Sequence, residues 1–154
     1  MKLLIVDDDS LICSSLARSL IRLGHAARAA TSVETACRLV GSEAPVAVLT
    51  DLDLGDGGDG IELILRLRRE GCRAPTIMMT GSDPIMARAR LARAGLAEVA
   101  LLEKPFAFED LLEVLAEVMP GAGAPFEPPS RPSRPTPVAA MVGSVVRTLG
   151  GRVL

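Results

Sequence analysis

Aromatic residues are nearly absent from this 154-residue chain. It contains no tryptophan and no tyrosine, and its three phenylalanines give an aromatic content of 2%. Proteins that bind single-stranded nucleic acid usually stack the bases on aromatic side chains. The composition therefore argues against that class of binding protein.

Cysteine and long apolar runs are also scarce. The residues Cys13, Cys37 and Cys72 are odd in number and widely spaced, which fits neither a disulfide framework nor a paired metal-ligand motif. No uninterrupted apolar stretch approaches the roughly 20 residues that cross a bilayer. The first apolar run turns acidic at Asp7, too early for a secretory signal. These features predict a cytoplasmic protein that does not insert into membranes.

The remaining composition is that of a folded domain with an acidic body. Hydrophobic residues make up 49% of the chain and charged residues 23%, so a packed core is expected. The net charge is -2, yet residues 121–154 carry four arginines and a single acidic residue, so the preceding part is more acidic than the whole. An acidic surface is unsuited to duplex DNA. We therefore expect no direct contact with nucleic acid.

Proline is concentrated in one segment of the chain, which separates two parts of different composition. Seven of its eleven prolines lie in residues 120–137, mixed with glycine, serine and arginine, a composition typical of an extended linker. The predicted folded domain is 1–119. The segment 138–154 is too short for an independent output domain, and we expect it to be disordered or to dock as a short helix. Output should therefore pass through contacts with a downstream protein.

The apolar pattern of the predicted domain alternates between short buried runs and helical spacing. It predicts five strands, at 3–6, 26–30, 45–50, 75–79 and 99–102. It also predicts five helices, at about 10–23, from a capping box over 31–34 to about 40, from 61 to near 71, at 84–94 and at 108–119. Repeated strand–helix units build parallel sheets covered on both faces. The predicted fold class is α/β, a doubly wound five-stranded parallel sheet with five helices.

Charged and hydroxyl side chains stand where the predicted strands end. Asp7, Asp8 and Asp9 follow the first strand, Asp51 the third, Thr80 the fourth and Lys104 the fifth. The carboxyl ends of parallel strands share one edge of the sheet, where ligands of such folds bind. Clustered carboxylates repel unless a hard cation such as Mg²⁺ lies among them. The pattern predicts a metal-assisted phosphoryl site.

Four motifs occur in order at these positions: Leu4-Ile5-Val6-Asp7-Asp8-Asp9, Leu49-Thr50-Asp51 leading to Gly60, Met79-Thr80-Gly81, and Lys104-Pro105-Phe106. Together they resemble the receiver domain of two-component response regulators, over residues 1 to about 119. The resemblance implies a flavodoxin-like (βα)5 fold. It also implies a signalling phosphoprotein rather than an enzyme, with a sensor histidine kinase or a histidine phosphotransfer protein as partner.

The resemblance also assigns roles to individual residues. Asp51 would accept the phosphoryl group from a phosphohistidine. Asp8, Asp51 and the main-chain carbonyl of Asp53 would hold Mg²⁺, and Asp7 would bind the metal through water. Lys104 would pair with the phosphoryl oxygens. These roles are consistent with phosphoryl transfer, which needs positioning and charge neutralisation above all.

Two further features belong to the same resemblance. Thr80 would hydrogen-bond a phosphoryl oxygen when the domain switches, and the peptide bond from Lys104 to Pro105 would be cis. This chain departs from the family pattern in three places. The interval from Asp51 to Gly60 is one residue longer, with glycine at 55 where proline is common; Leu101 replaces the usual aromatic switch residue; and 95–100 is about two residues longer.

Other polar residues are predicted to have structural roles. We expect Asp9 to cap the first helix, and the side chains of Asp53, Asp56 and Asp59 to stabilise turns in the glycine-rich loop. The single histidine, His25, follows a glycine and is expected to be structural or solvated, not a phosphotransfer histidine or a ligand.

The sequence is also compatible with two alternative functions and with a homodimer. The Asp51-Leu52-Asp53 sequence matches the nucleophile and acid pair of haloacid-dehalogenase-like phosphatases, although that pair should follow the first strand. A receiver fold that signals without phosphorylation is the second alternative. Opposite charges on the last two predicted helices could also pair across a two-fold axis in a phosphorylation-dependent homodimer; they are Arg88, Arg90, Arg93, Glu109, Asp110, Glu113 and Glu117.

Overall fold

The computed structural model describes residues 2–119 as five strands and five α-helices in strict alternation. The strands are β1 (Lys2–Val6), β2 (Ala26–Ala30), β3 (Ala47–Asp51), β4 (Thr76–Thr80) and β5 (Ala100–Glu103). The helices are α1 (Ser10–Arg22), α2 (Val33–Ser42), α3 (Gly60–Arg69), α4 (Pro84–Arg93) and α5 (Phe108–Val118). The predicted linker 120–137 and segment 138–154 lie outside the described residues.

All neighbouring strands run parallel, in the order β2-β1-β3-β4-β5. The chain moves from β1 outward to β2 and then back across to β3, so the winding direction reverses between β1 and β3. The register pairs Val6 with Thr50 at the carboxyl ends of those two strands. This reversal is the topological switch point at which ligands of doubly wound folds bind.

Each face of the sheet is covered by helices, which confirms the predicted doubly wound α/β class. On one face Leu3, Ile5 and Leu49 pack with α1 and α5. On the other face α2 and α3 cover Leu4, Val6 and Val48, while α3 and α4 cover Met78. Alternate residues along one strand therefore enter different cores, as expected of side chains that alternate across a strand.

The predicted boundaries are correct to within one or two residues at most ends, and the differences have local causes. The N-cap of α2 is Ser32, whose hydroxyl accepts a hydrogen bond from the Thr35 backbone N–H at 3.2 Å. The predicted capping box at 31–34 is therefore wrong by one residue. Strand β5 begins at Ala100 because Val99 belongs to the preceding turn, where its N–H donates to the Leu96 carbonyl.

Among residues 2–119, no helix is both long enough and apolar enough to cross a membrane.

Candidate functional site

The ends of three strands bring Asp7, Asp51 and Lys104 into direct contact. The Lys104 ammonium donates hydrogen bonds to Asp7 Oδ2 at 2.7 Å and to Asp51 Oδ2 at 3.0 Å. The backbone holds the lysine in place, because its N–H donates to the Thr80 carbonyl at 2.7 Å, and its peptide bond to Pro105 is cis, as the resemblance implies. A carboxylate that could act as a nucleophile and a cation thus lie together at the carboxyl ends of the strands.

Three carboxylates at this edge are close enough to share one metal ion. Asp7, Asp8 and Asp51 each place an oxygen within 4.8 Å of the other two. Asp7 is buried, Asp51 is partly buried and Asp8 is exposed. An oxygen-only cluster of this kind, open to solvent on one side, fits the hard cation Mg²⁺ and its retained waters. The residues predicted to hold the metal through their side chains are therefore together.

Burial and the contacts between Lys104 and the carboxylates shift the pKa values of the site in opposite directions. Burial raises the pKa of the Asp51 carboxyl above its ordinary value, and the hydrogen bond from Lys104 offsets only part of that increase. Burial also lowers the pKa of Lys104, but its hydrogen bonds to Asp7 and Asp51 outweigh burial, so the net pKa is raised. Lys104 is consequently a permanent cation at neutral pH beside a carboxylate whose charge is costly to maintain.

The glycine-rich loop after β3 folds back on itself. A short 3-10 turn, Gly55–Gly57, forms its tip, and a backbone bridge joins Asp53 to Asp59 at its base. Asp53 Oδ1 accepts from the Gly55 N–H at 3.0 Å, and Asp59 Oδ1 accepts from the Ile61 N–H at 2.6 Å. Both side chains thus stabilise the loop, as predicted for them.

Glycine is required at two points where this loop meets the rest of the site. A β-carbon at Gly60 would lie 2.1 Å from the Asp51 carbonyl oxygen. A β-carbon at Gly55, whose φ is 54°, would lie 3.1 Å from Asp8 Oδ2. The longer loop of this chain therefore approaches the acidic cluster closely because it carries no side chains there.

Thr80 lies at the same edge but has a different partner. Its buried hydroxyl accepts from the Ser82 N–H at 3.0 Å. Leu101, the residue in place of the usual aromatic, lies beside Ile85 and Arg88 of α4 in a shallow surface depression. The role of Thr80 as a switch stays a prediction, as does the orientation of the Asp53 carbonyl toward a metal.

The structure also contains contacts that sequence reasoning missed. The Cys13 thiol lies under the site and donates to the carbonyls of Asp7 and Ala30, each at 3.4 Å. Burial raises the pKa of this thiol, so it is a packing residue rather than a nucleophile. Its position in α1, three residues after the helix start, is the only sequence signal for this contact.

Two of the three arginines assigned to a dimer face bind within the chain. Arg88 Nη1 donates to the Val99 carbonyl at 2.7 Å, and Arg90 forms an ion pair with Asp59. Asp9, in agreement with its predicted role, caps α1 by accepting from the Leu11 and Ile12 N–H groups. The homodimer stays a prediction, and of these two arginines only Arg90 has its charge paired within residues 2–119.

Comparison with known proteins agrees with this geometry. Residues 3–116 match the model of the response regulator receiver domain. The chain is therefore a member of the response regulator receiver family. Members of this family are generally signalling modules that bind Mg²⁺ at an aspartate cluster, and Asp7, Asp8 and Asp51 form that cluster here.

Individual relatives extend the comparison. The chain is 35% identical over 112 residues to the response regulator MprA of Mycolicibacterium vanbaalenii, an alignment covering 73% of this chain and 47% of that protein. Its structure is similar to the receiver domain of NtrX from Brucella abortus, at TM-score 0.67 and 27% identity over 75% of this chain and 96% of that one. The chemotaxis protein CheY4 of Vibrio cholerae shares the fold, at TM-score 0.70 and 22% identity over 77% of this chain and 98% of that one. The chain spans about half the length of MprA.

Proposed function

We propose that this protein takes a phosphoryl group from a phosphohistidine onto Asp51 and signals through the resulting change in conformation. The donor is a sensor histidine kinase or a histidine phosphotransfer protein. One observation carries the proposal: the Asp51 carboxylate lies 3.0 Å from the Lys104 ammonium and within the acidic cluster at the switch point.

The transfer itself is a substitution at phosphorus. An Asp51 carboxylate oxygen forms the new P–O bond while the P–N bond to the donor imidazole breaks. The bonding electron pair leaves with the imidazole, which then takes a proton from solvent. The product is an acyl phosphate on Asp51, and Lys104 donates a hydrogen bond to one of its oxygens. Asp51 must be ionised to attack, and Lys104 favours that form.

Mg²⁺ would neutralise the carboxylates and the phosphoryl oxygens as they approach each other. Asp8, Asp51 and the Asp53 carbonyl are proposed as its direct ligands, with Asp7 holding a bound water. Both side-chain oxygens of Asp7 already accept hydrogen bonds, Oδ2 from Lys104 and Oδ1 from the Asp9 N–H at 2.9 Å, which supports an indirect role for it. Thr80 is proposed to exchange its Ser82 partner for a phosphoryl oxygen when the domain switches.

The output is proposed to pass through contacts with a downstream protein, without direct nucleic-acid binding. The haloacid-dehalogenase alternative has less support, because Asp51 follows the third strand and the exposed Asp53 carboxylate is already bound within its own loop. The alternative of a receiver that works without phosphorylation has less support because both Asp51 and Lys104 are in place.

The test is stoichiometric phosphorylation followed by intact mass. With acetyl phosphate and Mg²⁺, the full chain should gain one phosphoryl group, and Asp51→Asn should gain none. Asp53→Asn is the matched control, because asparagine keeps the oxygen that accepts from Gly55 and should leave labelling unchanged.

Each other outcome has a distinct meaning. Labelling that survives Asp51→Asn would move the acceptor to another residue. Steady hydrolysis of phosphate esters that is lost in Asp53→Asn would favour the phosphatase alternative. Absence of any labelling with acetyl phosphate and with histidine kinases alike would favour signalling without phosphorylation.

A further inference from the structure

The loop that would bring the Asp53 carbonyl to the metal is held from two sides. On one side, Leu54 is fully buried in the core beneath α2, and the loop glycines lie so close to α2 that β-carbons at 57 and 58 would meet Thr31 O at 2.8 Å and Val33 Cγ2 at 2.7 Å. On the other side the loop is joined to α4 by the ion pair between Asp59 and Arg90. The first attachment consists of buried packing. The second is an ion pair that a substitution can remove without disturbing the core.

Asp59 uses its two oxygens for two different elements. Oδ1 accepts from the Ile61 N–H and caps α3, and Oδ2 accepts from Arg90 Nη2. The backbone of the same residue lies opposite Asp53 in an antiparallel bridge. The hydrogen bonds of that bridge are made by the flanking residues: the Leu54 N–H donates to the Gly58 carbonyl at 3.1 Å, and the Gly60 N–H donates to the Leu52 carbonyl at 3.0 Å. Because these bonds hold the two strands of the loop together on either side of the pair, a displacement of Asp59 also shifts the segment that carries the Asp53 carbonyl, the proposed metal ligand.

From this geometry we infer that Arg90 is a positioning residue for the metal site, acting through Asp59 on the loop at Asp53. The inference rests on the proposed metal site. It also gives α4 a connection to that site that does not pass through position 101, where this chain has leucine. Helix α4 begins at Pro84, directly after the turn in which the Ser82 N–H donates to Thr80, so the same helix follows one loop of this edge in sequence and is ion-paired with the other.

The ion pair is partly exposed, with 44% of the Arg90 side chain and 37% of the Asp59 side chain accessible, so its effect should be modest. We expect Arg90→Ala to raise the dissociation constant for Mg²⁺ about threefold. Asp59→Asn keeps an oxygen to cap α3 while removing the charge, and it should have the same effect. Arg90→Lys should retain most of the affinity.

The experiment is a double-mutant cycle on Mg²⁺ binding by the full chain. Because the chain has no tryptophan or tyrosine, binding is followed by amide NMR shifts rather than by intrinsic fluorescence. The double variant Arg90→Ala/Asp59→Asn should bind no more weakly than either single variant. Arg93→Ala, one turn further along α4, is the control and should bind like the wild type. Melting temperatures in EDTA should fall by no more than a few degrees in the variants that break this exposed pair. Binding is measured well below the melting temperature of every variant, which separates positioning from a general loss of stability.

The outcomes distinguish the inference from the function on which it rests. Equal affinity in wild type and Arg90→Ala, or additive losses in the double variant, would overturn the inference while leaving the metal site intact. A wild-type chain whose spectrum does not respond to millimolar Mg²⁺ would overturn both. A threefold loss shared by the two single variants and not increased in the double variant would establish the inference.

Discussion

The two edges of the sheet each contain a lysine bound to a carboxylate, and burial separates the two cases. At the carboxyl edge, Lys104 contacts Asp7 and Asp51, whose side chains are 1% and 14% exposed. At the amino edge, Lys2 pairs with Glu43, and these side chains are 55% and 46% exposed. Water screens the second pair and is largely excluded from the first. The same two functional groups therefore form a candidate reactive site at one edge and a solvated surface contact at the other.

Hollows lie near both edges and differ in lining. At the amino edge a hollow of about 240 Å³ has a largely aliphatic wall that also carries Lys2 and Glu43. At the carboxyl edge a wider and more open depression of about 470 Å³ lies beside Lys104, and its lining does not include the three aspartates of the acidic cluster. The candidate site is therefore identified by the charges that converge there rather than by the hollow beside it, as suits a ligand as small as a metal-bound phosphoryl group.

Glycine substitutions give the largest expected difference between the edges. Alanine at Gly60 would place a β-carbon 2.1 Å from the Asp51 carbonyl oxygen, a backbone atom that cannot move without displacing β3. We expect Gly60→Ala to lower the free energy of unfolding by about 3 kcal/mol. Denaturant unfolding followed by circular dichroism measures this change.

Gly41, near the end of α2 at the amino edge, is the matched control. A β-carbon there would meet nothing within 4 Å, so Gly41→Ala should stabilise the protein by about 0.5 kcal/mol through helix propensity alone. Equal effects of the two substitutions would show that the loop after β3 does not lie against Asp51.

Removing each lysine compares the ion pairs directly. In metal-free buffer at pH 7, Lys104→Met leaves Asp7 buried without its cation, and the free energy of unfolding should fall by about 2 kcal/mol. Millimolar Mg²⁺ should restore part of this loss, because a divalent cation bound to the carboxylates replaces the missing charge. Thermal and denaturant unfolding with and without Mg²⁺ measure both effects.

Lys2→Met is the corresponding change at the exposed edge and should cost at most about 0.5 kcal/mol. Raising the salt concentration should reduce that small cost further while changing the Lys104→Met cost much less. A Lys104→Met variant as stable as Lys2→Met would mean that Asp7 is not desolvated.

The grouping of charged residues at the carboxyl edge could be predicted from sequence, because it follows from strand order. Once alternating apolar runs indicate a parallel sheet, the residues after each strand must meet at one edge, which is how Asp7, Asp51 and Lys104 were brought together. Even the weak pattern of β2, Ala26–Ala30, is confirmed, since a strand of four alanines and Arg28 still pairs with β1 along its whole length.

One predicted boundary is wrong, and several contacts are not predicted, because local patterns do not encode them. At the start of α2 the predicted cap is Thr31, whereas the structure uses Ser32, and the Thr31 carbonyl lies close to Gly57 instead. At α5 the N-cap is Ala107, whose N–H donates to Asp110 Oδ2 at 2.9 Å, an arrangement without a capping side chain at the first position. The Arg90–Asp59 pair joins residues 31 apart and has no local signature.

Titration of the one histidine gives the smallest expected effect and extends the comparison to pH. His25 follows α1 at the amino edge, where its N–H donates to the Leu20 carbonyl, and its side chain is partly buried. Burial lowers the pKa of His25 below its ordinary value of 6.5, so the folded state resists protonation more than the unfolded chain does. The contribution to stability is complete above pH 6.5 and is lost as the pH falls through the folded-state pKa.

Replacing His25 with glutamine should remove this dependence, so wild type should lose stability relative to His25→Gln between pH 7 and pH 5. Taking the difference between the two unfolding curves cancels the contributions of the carboxylates, which titrate in both proteins. Parallel curves over this range would show that the imidazole is as well solvated in the folded protein as in the unfolded chain.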